Sequence, residues 1–135
     1  MRLSNWDSRL SALVREKRKA PHAFGSWDCL LWPAAAVKAV TGKDFGRGHR
    51  GKYKSLASAY RHLQDMGFAS PEALLDSLFE QKSVGFAQKG DLVLASDGIP
   101  AVCVGAFALS VGREGGREGF VKVQRSDWVK SWRVG

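Results

Sequence analysis

Histidine and cysteine are scarce in this chain: its 135 residues hold three histidines and two cysteines. Two cysteines build neither a disulfide framework nor a four-ligand zinc site, so the fold must rest on an apolar core. No metal or other cofactor is expected. Long hydrophobic runs are missing too. The longest, Cys29 to Val37, is broken by Pro33, and no membrane span is expected. Met1 to Ala20 reads as a polar helix rather than an apolar leader, which points to a protein made in the cytoplasm. Acidic residues are few, 13 against 21 Lys and Arg, leaving a net charge of +8. That surplus suits nucleic acid, an anionic surface or an acidic protein. The bases are spread along the chain, however, and the one dense cluster (Arg15, Lys17, Arg18, Lys19) reads as a solvated helix end. Nucleic acid is therefore not the expected partner.

What is present reads as one domain with no internal repeat. Residues 4 to about 19 form an amphipathic helix, with Trp6, Leu10, Leu13 and Val14 on one stripe. A second helix starts near Ser26 or Trp27, runs to Val40 and stops at Thr41-Gly42; its body is apolar almost all round, so it should be buried. Pro33 cannot donate to the Cys29 carbonyl, so the first turn should be loosened. Gly42 to Gly51 reads as an exposed loop and lacks the ending of a phosphate-binding loop. A third helix covers about Ser55 to Met66, and Ser70-Pro71-Glu72 opens a fourth that ends near Glu80.

From there the period becomes extended. Leu92–Ala95 and Ala101–Val104 flank the Asp97-Gly98 turn, Phe107–Val111 follows, and Gly112–Gly119 is a loop closed by Phe120–Val123. Ser126-Asp127 should cap a last short helix, about 126–133, carrying Trp128, Val129 and Trp132. The class is α+β: a helical part of about 1–80 packed on a small antiparallel meander of about 90–123.

The stretch Phe24-Gly25-Ser26-Trp27-Asp28-Cys29 sets a cysteine in the first turn of a buried helix. Helix N-termini carry partial positive charge and free N–H groups, which lower a thiol's pKa and prepare a nucleophile. The alternative is that Cys29 is simply a small buried hydrophobe.

Phe24…Asp28-Cys29 on a buried helix, then Thr41-Gly42 and Gly90-Asp91-Leu92-Val93, resembles the NlpC-type cysteine peptidases. These are papain-like enzymes that cut peptidoglycan stem peptides. With Gly51-Lys52-Tyr53 and Gly67 added, the ordered set is similar to a short phage-encoded branch found among tail-assembly genes. The resemblance spans roughly residues 20–110 and implies Cys29 as nucleophile, a histidine at the start of the returning strand, and a polar residue orienting it. Around Ile99 to Val102 there is no histidine; Ser110 is the nearest orienting candidate. His22, in the loop before Cys29, is the substitute base, ahead of His49 and His62. Ala101 and Cys103 share a strand face, so Asp28, Trp32, Ala101 and Cys103 are the expected neighbours of a vestigial site, with no disulfide between the two cysteines.

Two functions follow from the resemblance. The first is a bacteriophage or prophage tail protein on a degenerate NlpC-like fold, located in the virion tail and docking onto other tail proteins. Trp128 and Trp132 would then be docking anchors or, equally, part of the protein's own core. The second is a virion-associated peptidoglycan endopeptidase using Cys29 with a non-standard base. A basic nucleic-acid module, with steeply salt-dependent binding, stands third.

Overall fold

The computed structural model describes residues 1–114 and 117–135. Four helices come first: α1 (Trp6–Lys17), α2 (Leu31–Thr41), α3 (Leu56–Asp65) and α4 (Pro71–Leu78). Their ends follow local chemistry. Gly42 closes α2 in the left-handed conformation, its N–H donating to the Lys38 carbonyl. Ser55 and Ser58 form a reciprocal cap on α3, and Ser70 caps α4 ahead of Pro71. The loop between α2 and α3 is stapled by Arg50, which donates to both Asp44 carboxylate oxygens at 2.9 and 2.7 Å.

Six strands follow: β1 (Gln81–Lys82), β2 (Leu92–Ala95), β3 (Pro100–Cys103), β4 (Phe107–Glu114), β5 (Arg117–Gln124) and β6 (Trp128–Trp132). They form one antiparallel sheet in the order β1-β6-β2-β3-β4-β5. The α+β class, helices then antiparallel sheet, is as expected. The sheet is larger than the expected meander because β1 joins it and β6 is inserted between β1 and β2. The expected loop is also narrower: β4 runs to Glu114 and β5 starts at Arg117, while Gly115 and Gly116 lie outside the described residues.

The expected C-terminal helix at 126–133 is corrected. Residues 125–127 form a single 3-10 turn and Trp128–Trp132 is a strand paired on both sides. The register shifts between Leu94 and Ala95, which pair with Lys130 and Trp128, so Val129 is bulged out and exposed. The bulge sends Trp128 and Trp132 to opposite faces of the sheet. Both are buried, which settles their role as core rather than docking anchors.

Alternation along the strands makes two cores. The larger lies between sheet and helices and joins Leu10 of α1, Trp32 and Val37 of α2 and Leu75 of α4 to Leu92, Leu94, Val102, Leu109 and Trp132. The smaller covers the other face with Val93, Ala101, Cys103, Ala108 and Trp128. α2 is apolar almost all round, Lys38 being its exposed exception, because it lies against both α1 and the sheet. No helix among the described residues is long and apolar enough to cross a membrane.

One buried carboxylate ties the two ends of the described chain together. Asp91, fully enclosed, accepts from Arg2 Nη2 at 3.0 Å, Lys82 Nζ at 2.7 Å, Gln88 N at 3.0 Å and Val134 N at 3.1 Å. Arg2 also donates to the carbonyls of Val134 and Lys89.

Candidate functional site around Cys29

The turn before α2 is built around a second buried carboxylate. Ala23 and Trp27 exchange both backbone hydrogen bonds, pinching the chain into a tight loop with Gly25 near its tip. Gly25 has φ of +86°, and a Cβ there would fall 2.5 Å from the Tyr53 carbonyl oxygen. Only glycine fits, because the segment carrying Gly51 and Tyr53 presses against it, with Gly51 N donating to the Gly25 carbonyl. Asp28 Oδ2 accepts from Gly25 N at 2.8 Å, while Oδ1 accepts from the N–H groups of Leu30 and Leu31 at 2.9 Å each. The Tyr53 hydroxyl donates to Oδ1 at 3.1 Å. Asp28 therefore caps the turn leading into α2, so regular helix begins at Leu31, later than Ser26 or Trp27. Cys29 sits in that opening turn, where Pro33 leaves its carbonyl without the usual helical donor.

The Cys29 side chain faces a space of about 10 Å³ lined by Leu56, Ala59 and Tyr60 of the α3 segment, Pro71 of α4, and Ile99 and Pro100 at the start of β3. That is room for about one water molecule. Burial first, then the Asp28 carboxylate beside it and the more distant Asp97, push the thiol up to about 11. The acid that organises the turn thus opposes the helix N-terminus that would have activated the thiol. Four units above neutral, about one thiol in 10⁴ is ionised at pH 7. Burial beside the same carboxylate also pushes the Tyr53 hydroxyl far above its ordinary range, keeping it a donor.

Ile99 and Pro100, in the stretch where the resemblance leads one to expect a histidine, line the small space beside Cys29. Among the described residues no histidine hydrogen-bonds Cys29. His22 packs edge-on against Phe24, ring centroids 4.5 Å apart. His49 and His62 pair with each other instead, Nδ1 to Nε2 at 2.9 Å, beside Tyr53. Ser110 lies between Leu109 and Val111, which face the helices, so alternation turns it to the other face, where it lines a hollow with Asp97 and Asp127.

The expected neighbours divide. Asp28 belongs to the site. Trp32 is buried in the larger core, its indole N–H donating to the Leu109 carbonyl at 2.8 Å. Ala101 and Cys103 are not neighbours of Cys29: they belong to the smaller core on the far face of the sheet, because Pro100 and Val102 take the helix-facing positions of β3. Both cysteines are free thiols. Tyr53 was the missed member of the site; its signal was the Gly51-Lys52-Tyr53 motif, whose glycine and tyrosine both meet the Gly25 turn. No group of three or more potential metal ligands occurs among the described residues.

No curated protein matches the chain. Residues 1–134 match a family described as "Domain of unknown function (DUF6950)", and the chain belongs to that family.

Proposed function

We propose that this protein is a structural component of a bacteriophage or prophage tail, built on an NlpC-like peptidase fold whose catalytic site has been closed. The observation that carries the closed-site half is the setting of Cys29: a raised, partly buried thiol facing Ile99 and Pro100 across room for about one water, with no histidine hydrogen-bonded to it among the described residues. Loss of a general base forfeits about 10²–10⁴ in rate, and an un-ionised nucleophile compounds it. The tail half rests on the ordered motif set, from Phe24 and Asp28-Cys29 to Gly90-Asp91-Leu92-Val93. The Gly25 turn and the Gly51–Tyr53 segment meet at Asp28, so these motifs are explained as a folding unit that needs no catalysis to retain it.

The test is complementation. A phage or lysogen deleted for this gene should lose tailed particles, and Cys29→Ala should restore them to wild-type titre. Purified virions should contain the protein by mass spectrometry, and purified protein should leave muropeptides intact. Cleavage that disappears in Cys29→Ala would overturn the reading in favour of an endopeptidase. Normal tails in the deletion strain would remove the tail assignment.

A further inference from the structure

We propose that the groove between α1 and the β4–β5 ribbon is a docking site for an acidic peptide segment of a partner protein, one carrying a large apolar side chain. The groove holds about 450 Å³ and has an apolar floor that includes Val14, Phe107, Leu109 and Phe120. Arg15 of α1 and Arg18, which caps its C-terminal end, stand on one side and Lys122 of β5 on the other; all three are exposed. No acidic residue lines the groove among the described residues, and the fourth cation, Lys89, is already paired with Asp7. Apolar floor and cations with no acidic partner among the described residues together define the occupant's chemistry: carboxylates for the rim and a hydrophobic anchor for the floor.

Two other occupants fit less well. A second copy would bring the same cations face to face on a chain of net charge +8. Single-stranded nucleic acid needs open aromatic faces for stacking. Here Lys122 Nζ lies 4.7 Å over the Phe107 ring, and Phe120 packs on Trp32 and Trp27 with centroids 4.7 and 6.1 Å away. The two arginines, three residues apart on one helix face, offer forked donors suited to successive carboxylates.

The inference takes from the scaffold reading only that the partner is a protein. Random short peptides displayed as a library are selected on the full-length chain. Enriched sequences should carry at least two acids flanking an aromatic or large aliphatic residue. A synthetic peptide of that sequence should bind at least about tenfold more weakly to Arg18→Glu/Lys122→Glu, and more weakly as salt rises. Its backbone amide shifts should centre on Val14, Phe107 and Phe120. Should the double variant unfold, Arg18→Gln and Lys122→Gln singly give the same comparison with smaller losses. The inference is overturned if nothing enriches, if the enriched peptides lack acids or map elsewhere, or if oligothymidine displaces them. Acidic peptides selected on a protein that also cleaves muropeptides would leave the groove and sink the scaffold. An empty selection on a catalytically inert protein would do the reverse.

Discussion

Asp28 holds four donors on two oxygens, and the Cys29 thiol next to it lives in the field of that carboxylate. Asp28→Ala strands the N–H groups of Gly25, Leu30 and Leu31 and the Tyr53 hydroxyl, and should cost about 3–5 kcal/mol in denaturant unfolding. Asp28→Asn keeps an acceptor and removes the charge, so it should cost less and lower the Cys29 pKa. In a Cys103→Ala background, the rate of iodoacetamide alkylation against pH reads this directly, with a wild-type midpoint near 11. The Asn variant should titrate earlier. A wild-type thiol already reactive at neutral pH would mean that the site is more open than its walls indicate. The raised value also sets a sign for stability. The folded state favours the protonated thiol, so this contribution is complete below the unfolded value and fades as pH rises through about 11.

Among the elements, the α2–α3 loop holds to the molecule through a contact that depends on protons. Its His49 meets His62 of α3, with Tyr53 beside that pair and the Asp44–Arg50 pair within the same loop. Burial, then the neighbouring His62, keep His49 below its ordinary value of 6.5. The unfolded chain therefore binds the proton first, and stability present above about 6.5 is lost as pH falls through the folded value. The melting temperature should be level from pH 8 to 7 and drop towards pH 5.5, and His49→Gln should flatten that drop. An unchanged slope in the variant would place the sensitivity elsewhere.

The helices were legible because capping serines, Pro71 and Gly42 are local signals. So were the hydrophobic stripe of α1 and the β2–β3 hairpin. β6 was not legible, and the reason is physical. Trp128, Val129 and Trp132 repeat at helical spacing, and a bulge breaks the strand alternation that would have betrayed an extended segment. The placement of Cys103 failed by one residue of register: the helix-facing series on β3 begins at Pro100, not Ala101. Tyr53 could not be paired with Asp28 from sequence, since the two are brought together only by the close approach of Gly25 and Gly51.

For the whole molecule, the carboxylate that matters most is Asp91, which neutralises Arg2 and Lys82 while receiving the backbone of Val134. Asp91→Ala leaves two largely buried cations without their acid, so it should destabilise by about 3–5 kcal/mol. A conservative Asp91→Asn should still lose both charge pairs. Urea unfolding monitored by tryptophan fluorescence measures either; a loss below about 1 kcal/mol would show the hub to be dispensable. The two buried acids thus divide the work, one shaping the turn around Cys29 and the other binding the ends of the described chain to the sheet.

The position of β6 has a consequence for how the protein is born. It is the last of the described strands to leave the ribosome, yet it pairs with β1 on one side and β2 on the other. Until it arrives, β1 has no partner and β2 keeps an open edge next to the β3–β5 ribbon. That open edge is the kind of surface on which nascent chains associate wrongly. The order of synthesis and the order of the sheet are therefore in conflict, and closure waits for β6. A message truncated before Trp128 would yield a chain with all four helices and no means of completing the sheet they pack against.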